Sequence, residues 1–271
     1  MTNMEDLKFI TALKQEAHHG LSHQWKNFLQ MQDVFGINPS SENLIRRVQF
    51  WGYEIAAEAL SGGVDQPAKK LQMLCDFFFK KLKFTVKGDD VLPLKSDLFL
   101  NYVLPNRCGH VLVIGTLISA LGAHLDLKLD WAKSKYFGVL KVKANQDSFF
   151  LDLYNDGSIL ERKEVLDLLN SLYQNQNSTQ DQQIFKPDWL EDLPVKDVVI
   201  AYLKLLEQAF VKEKNNLHLL TLYDLWHSLS QSSISILPKR ALVHLEMGAK
   251  YQALCDLKRY FLFCDPQRRP Q

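Results

Sequence analysis

Residues 107–131 read RCGHVLVIGTLISALGAHLDLKLDW, and this stretch decides the fold. Its apolar residues cover most of the circumference of a helix that begins near residues 107–109 and runs to Leu125, which is typical of a helix buried on all sides. We therefore predict a central helix inside the molecule, with the preceding helices packed around it. The residues predicted to be buried are Trp51, Phe78, Leu112, Leu117 and Leu121.

Strand-like segments follow the central helix. Residues 128–131, 136–142 and 149–154 are short, with partial alternation of apolar and polar side chains. Asn145-Gln146-Asp147 lies between the last two segments, and so short a connection joins only antiparallel neighbours. The sequence predicts a small antiparallel sheet in which residues 136–142 pair with residues 149–154.

Helices are predicted on the N-terminal side of the central helix. Apolar residues recur at steps of three or four over residues 5–31 with a break near Gly20, over 41–60, and over 65–82. A further short helix over residues 98–104 should end at Pro105.

The fold class predicted from this order is α+β, mostly α. A helix over residues 161–172 closes a first domain, predicted to comprise residues 1–173. Residues 174–186 are rich in Gln, Asn, Ser and Thr without an apolar period, and we interpret them as a polar linker.

Residues 187–271 are predicted to form two helical hairpins. The four helices are expected over residues 195–214, 217–229, 237–247 and 250–263. Shifting the chain against itself by about 35 residues superimposes leucines of the first hairpin on leucines of the second, and a period near 34 is typical of tetratricopeptide repeats. Because about three repeats are usually needed for independent stability, the hairpins should lean on the first domain or on a partner.

Composition and charge exclude several classes of protein. The formal net charge is +1, so no global field would attract nucleic acid or an anionic membrane. The longest apolar-rich stretch, residues 111–121, falls short of the roughly 20 residues needed to cross a bilayer. The first 21 residues lack the continuous apolar segment of an export signal. We expect a cytoplasmic protein that binds neither nucleic acid nor membranes, and its oligomeric state stays open.

No metal or other cofactor is predicted. His19 and His23 are four apart and could share a helical face with His18 alongside, but no carboxylate or cysteine stands at ligand spacing to complete a site. The cysteines, which show no paired spacing, are interpreted as free thiols. They are Cys75, Cys108, Cys255 and Cys264.

The order of one helix and two strands after it suggests a thiol-enzyme core. In such cores a cysteine at a helix N-terminus is biased toward thiolate, and His and Asp on neighbouring strands take and orient its proton. Three segments stand out in order and spacing: LFLNYVLPNRCG at 98–109, the helix end at 117–127, and LDLYNDG at 151–157. With these segments the chain resembles the SirB-like family of bacterial proteins, which joins a transglutaminase-like core to tetratricopeptide repeats and has iDPfnGG where this chain has LDLYNDG.

Carried over by position, the resemblance implies that catalysis has been lost. The family's cysteine falls about two residues after Gly109, where this chain has Val111. The family's histidine falls near Tyr136 or Phe137, and no histidine occurs between residues 125 and 217. Only Asp152 matches a triad position, and an Asp beside such a turn commonly caps backbone N–H groups.

A rearranged site is the alternative. Cys108 lies at the start of the predicted central helix with His110 two residues later, and Asp152 could complete a triad. Residues two apart on a helix do not face each other, which disfavours a Cys108–His110 pair. The first hypothesis is therefore a non-catalytic protein, possessing a degenerate core and hairpins that bind a protein or peptide, with a regulatory role implied by the family. The second is a thiol-dependent peptidase or amidotransferase that uses Cys108, and the third is a purely architectural subunit.

Overall fold

The computed structural model describes residues 21–37, 41–88, 92–133, 138–144, 147–176, 190–229 and 234–264. The fold is α+β and mostly α, as predicted. Its first helices are α1 (Leu21–Asp33), α2 (Ser41–Ser61) and α3 (Pro67–Cys75), and α3 continues as a π-helical segment, Asp76–Lys81. Proline at the first position of α3 suits a helix start, because the N–H that proline lacks would have no partner there. The predicted break near Gly20 lies outside the described residues.

The segment before the central helix differs from the prediction. Two short helices, α4 (Lys95–Leu98) and α5 (Leu100–Asn106), replace the single one predicted, and α5 continues through Pro105. It ends because Arg107 adopts the left-handed conformation, with φ 54°.

The central helix begins later than predicted. Residues Cys108–His110 form strand β2, which pairs in parallel with β1 (Thr85–Lys87), and the helix α6 spans Val111–Gly122. The placement of the helix start at 107–109 was wrong, because these residues are extended and paired to β1 instead. His110 caps α6, since its Nδ1 accepts the N–H of Leu112 at 3.2 Å.

Helix α6 is the centre of the core, as predicted. All twelve of its residues are buried, and a 3₁₀ turn, Ala123–Leu125, follows. The predicted core residues Trp51, Phe78, Leu112, Leu117 and Leu121 are all buried. Gly115 allows the closest approach to the sheet, because a Cβ there would lie 2.2 Å from the Trp131 ring.

Four strands form the antiparallel sheet in the order β3-β4-β5-β6. They are β3 (Lys128–Trp131), β4 (Val139–Ala144), β5 (Asp147–Asp152) and β6 (Ser158–Leu160). The predicted hairpin is confirmed over the described residues, with Ala144 opposite Asp147. The second strand was predicted to run to residue 154, but β5 ends at Asp152. Residues 153–155 form a 3₁₀ turn instead, which the Asp152 side chain caps. Strand β6 was not predicted.

Helix α7 (Arg162–Gln176) packs against β5 and β6. The C-terminal helices are α8 (Val195–Lys212), α9 (Asn216–Leu229), α10 (Ile236–Glu246) and α11 (Lys250–Phe263). Each packs against the next, at boundaries close to those predicted. None of the described helices combines the length and apolarity needed to span a bilayer.

Helix α8 docks on the N-terminal helices through a buried polar cluster. The amide of Gln32 donates to the Leu98 carbonyl at 3.0 Å and to the Tyr202 hydroxyl at 2.8 Å, and it accepts the Leu100 N–H at 3.0 Å. The Tyr202 hydroxyl donates to the same Leu98 carbonyl at 2.9 Å. Nearby, the Phe35 and Phe210 rings lie 5.3 Å apart. The hairpins therefore lean on the first part of the chain.

We expect Gln32→Ala to destabilise the protein by about 1–3 kcal/mol for each buried group left without a partner, beginning with the Leu100 N–H. Urea unfolding measures the loss. Gln30→Ala is the matched control, since Gln30 is exposed on the same helix. A loss no larger than that of Gln30→Ala would show that the cluster does not hold α8 in place.

Candidate functional site

The start of α6 occupies the place that the family resemblance gives to a nucleophile. Val111, the first residue of α6, has no exposed surface. Gly109, on β2 before it, lies so close to Val103 that a Cβ would come within 2.8 Å of its methyl groups. An apolar side chain buried in the core takes the position that the resemblance assigns to the family's thiol.

Asp152 stands at the end of β5 and serves as a cap. Its Oδ1 accepts the N–H of Tyr154 at 3.0 Å, and its side chain begins the 3₁₀ turn. Burial raises the pKa of this carboxyl above its ordinary value of 3.8, and hydrogen bonds from the Tyr154 and Asn155 backbone act in the opposite direction. The carboxylate is therefore disfavoured by desolvation and held by backbone donors.

The residue opposite Asp152 across the ladder is Val139. It is buried, with 4% of its surface exposed. Tyr136 and Phe137, to which the family's histidine position was assigned, lie outside the described residues. The hairpin register thus places an apolar side chain, and no base, beside the Asp152 backbone.

Side chains fill the described space between α6 and the sheet. The Trp131 ring of β3 lies against Gly115, and Leu153 reaches the same glycine. Trp131 and Leu153 are both almost completely buried. This contact surface is built like a protein core, in which large and small side chains interlock.

Cys108 lies on β2, opposite Thr85, and is partly exposed. The next basic group on β1 is Lys87, whose ammonium bonds the Asp97 carboxylate at 2.6 Å. That hydrogen bond is the main cause of the raised pKa of Lys87, while burial opposes it and the charges of Asp97 and Cys108 add to it. The Lys87 charge is thus largely engaged by Asp97.

Cys108 and His110 lie on a strand and not on a helix. The prediction that their side chains do not face each other was therefore wrong. Alternate residues of a strand share a face, and the two side chains therefore point to the same side of β2. His110 is 7% exposed, and its Nδ1 is the cap of α6. The assignment of Nδ1 as acceptor requires the proton of a neutral ring to lie on Nε2.

The sequence offered three histidines, His18, His19 and His23, as candidate metal ligands. His18 and His19 lie outside the described residues, and His23 belongs to α1. Within the described ranges, no three His, Cys, Asp or Glu side chains are grouped so as to hold a metal ion.

The family model of the transglutaminase-like superfamily matches residues 40–193, more than half of the chain. The chain belongs to the transglutaminase-like superfamily. No curated protein matches it. A solved structure, described as menin with its binding site for the Mixed Lineage Leukemia protein, aligns over 96% of this chain and 70% of the menin chain, at 9% identity and a TM-score of 0.40.

The pairing of Val139 with Asp152 was not predicted from the sequence, because the predicted turn was one residue too long. A three-residue turn at 145–147 sets a different register from the observed one, in which Ala144 and Asp147 pair directly. In a hairpin the loop length fixes which residues are opposite each other. A two-residue turn at Asn145-Gln146 would have predicted Val139 opposite Asp152.

We expect Asp152→Asn to be at least as stable as the wild type at pH 7. Because the folded-state pKa of Asp152 is raised, the wild type loses stability as the pH rises from 3.8 through that raised pKa. Asparagine carries no charge and can still accept the Tyr154 N–H. The advantage of the variant should therefore shrink as the pH falls toward 3.8.

Urea unfolding across this pH range measures the difference, with Asp156→Asn in the same turn as an exposed control. If Asp152→Asn were clearly less stable than the wild type at pH 7, the carboxylate would have a favourable partner that its capping role does not provide.

Proposed function

We propose that this protein is a non-catalytic, degenerate transglutaminase-like protein that binds a protein or peptide partner. The observation that carries the loss of catalysis is the buried Val111 at the first position of α6. Val139 opposite Asp152 supports it from the sheet side. Two apolar side chains in these places favour a stable core, each contributing about 1.5–3 kcal/mol when fully buried.

The last two helices provide the surface for a partner. Eight of the sixteen large apolar side chains that are exposed in the described residues lie between residues 242 and 263. We name them the C-terminal apolar surface: Leu242, Leu245, Met247, Tyr251, Leu254, Phe261, Leu262 and Phe263. Soluble proteins rarely expose so many apolar groups together unless another molecule covers them.

Helix α11 is the least buried part of this surface. Of its fourteen residues, only Ala253 and Asp256 are buried. In arrays of helical hairpins a terminal repeat needs a polar outer face to stay soluble, and α11 instead exposes Tyr251 and Leu262 at 75% and 76%. A polypeptide lying on α11 would remove this surface from water.

The tetratricopeptide-like hairpins and the SirB-like kinship belong to this proposal. Helices α8 to α11, each in contact with the next and with a period near 34 residues in the sequence, support the repeat interpretation. Repeats of this kind hold extended or helical segments in a groove, which supports a polypeptide as ligand. A bacterial setting and a regulatory role follow only from the family resemblance, and a cytoplasmic location is part of the proposal.

The experiment is affinity capture with the full chain as bait, followed by cross-linking and mass spectrometry. Tyr251→Asp and Leu262→Asp should each lose the captured partner. Leu60→Asp is the matched control, because Leu60 is an exposed leucine on α2 at 83%. The proposal predicts cross-links to α10 and α11. Capture that is equal for all three variants would contradict it.

A thiol-dependent peptidase or amidotransferase using Cys108 is the second candidate. Its favourable observation is that Cys108 and His110 share one face of β2, and that Cys108 is partly exposed. Against it stand the His110 Nδ1 committed to capping α6 and the Lys87 ammonium bonded to Asp97. Cys108→Ser separates the candidates: under the first proposal both partner capture and cellular phenotype should be unchanged, whereas loss of the phenotype with capture retained would favour the second.

A further inference from the structure

Arg107 is held on an aromatic platform. The carbon of its guanidinium lies 4.4 Å from the Trp51 ring centroid and 5.0 Å from that of Phe84. The Phe84 ring in turn stacks on Phe78 at 4.5 Å. The left-handed backbone at Arg107 is fixed by Thr85, whose N–H donates to the Arg107 carbonyl at 2.8 Å. The planar guanidinium is therefore oriented before any ligand arrives, which reduces the entropy lost on binding.

The charge of Arg107 has no counter-ion among the described residues. Its Nη1 is buried without a hydrogen-bond partner. Burial lowers the pKa of the guanidinium, and the next contribution is the positive charge of Arg47. Removing a cation from water beside a second cation is unfavourable unless an anion compensates both.

Arg47 stands one helical turn before Trp51 on α2 and is exposed. Residues four apart share one face of a helix, so Arg47 and the Trp51 platform border the same surface. Its neighbour Arg46 differs, because it pairs with Glu42 at 3.5 Å. Among the described residues, Arg46 therefore has an acidic partner, whereas Arg47 and Arg107 have none.

We propose that Arg47 and Arg107 form a binding site for a phosphate group. Two guanidinium groups match a phosphate monoester, which carries about −1.5 to −2 charges at pH 7, whereas a single carboxylate would leave one positive charge uncompensated. Guanidinium forks also fit phosphate oxygens with two parallel hydrogen bonds. Arg107 is only partly buried, so it can present donors to a ligand beside the exposed Arg47.

This site is independent of the C-terminal apolar surface and of the proposed function. It lies on α2 and at the residue between α5 and β2, while the partner surface lies on α10 and α11. The phosphate group could belong to a small phosphorylated compound or to a phosphorylated polypeptide. Both present the same chemistry to the two arginines.

The test is an NMR titration of the arginine Nε–Hε resonances in the full chain with inorganic phosphate, at an ionic strength held constant with sodium chloride. The resonance of Arg107 should shift to saturation, and that of Arg46 should stay in place. Arg47→Gln and Arg107→Lys should each weaken binding at least about tenfold, as expected for lost charge-assisted hydrogen bonds. Arg46→Gln should stay within about twofold of the wild type, since its charge is already paired.

A second arm uses a short peptide with one phosphoserine and its unphosphorylated counterpart. Binding of the phosphopeptide tighter than inorganic phosphate would assign the source to a polypeptide, and equal binding would assign it to small compounds. A wild-type response no larger than that to sodium chloride overturns the proposal. Arg47→Gln binding phosphate as tightly as the wild type also overturns it, and because Arg47 is exposed, this variant tests the site even if Arg107→Lys fails to fold.

Discussion

Leu117→Ala is expected to lower the free energy of unfolding by about 2–5 kcal/mol. Leu117 lies in the middle of α6, a helix whose twelve residues are all buried, and it is itself 2% exposed. Helices α1, α2 and α3 and strand β3 all contact α6, so the surroundings have little freedom to collapse into the space left by the side chain. The loss combines the lost transfer free energy of the side chain with the cost of the cavity.

Urea denaturation of the wild type and the variant measures this difference. Leu60→Ala is the matched control, because Leu60 is the same residue type on a helix but is 83% exposed. We expect the control to change stability by less than about 0.5 kcal/mol. A comparably small loss for Leu117→Ala would show that α6 is not the centre of the core.

Arg240→Met is expected to destabilise the C-terminal helices by about 3–5 kcal/mol, because it leaves a buried carboxylate without its guanidinium partner and with only the His244 ring, 3.9 Å away, beside it. Arg240 on α10 holds Asp256 on α11 with two hydrogen bonds, at 2.8 and 2.5 Å, and Asp224 on α9 at 2.6 Å. Hydrogen bonding to Asp256 is the main cause of the raised pKa of Arg240. Asp256 is 4% exposed, so water cannot replace the lost guanidinium.

Amide hydrogen exchange should locate the loss in α9, α10 and α11, and urea unfolding should give its size. Arg259→Met is the control, since Arg259 is exposed on α11. The double variant Arg240→Met with Asp256→Leu should recover part of the stability, because removing both charges avoids burying one alone. If Arg240→Met behaved like Arg259→Met, this ion pair would not join the three helices.

Periodicity predicted the helices and the core well because both depend on local sequence. The C-terminal helices were placed within a few residues of their observed ends, and α6 was recognised from its uniform apolar character. The transglutaminase-like core was identified from the order of motifs, and the family match confirms it. These features follow from patterns spanning one or two elements.

The start of α6 was misplaced because long-range pairing overrode the local pattern. Nothing within residues 107–110 indicates a strand; β2 exists because β1, more than twenty residues earlier, pairs with it. The left-handed conformation of Arg107 likewise depends on its surroundings, since the Thr85 N–H binds its carbonyl. Contacts of this kind cannot be predicted from a short stretch of sequence.

The Arg107 platform could not be predicted for the same reason. Trp51 and Phe84 are separated from Arg107 by 56 and 23 positions, and only the packing of α2 against α5 and α6 brings them together. The pairing of Val139 with Asp152 could have been predicted from the sequence, because it required only the correct length of one turn.

The rate at which each cysteine is alkylated at neutral pH tests the central claim, the absence of a catalytic thiol, most directly. Peptide mapping after timed treatment with iodoacetamide follows all four cysteines in one sample. Cys75 should react slowest, since burial raises its pKa to about 12. Cys108 should react at a rate close to that of Cys255, which is also partly exposed. Alkylation of Cys108 about a hundredfold faster than Cys255, abolished by His110→Asn, would contradict the account and identify an active thiol.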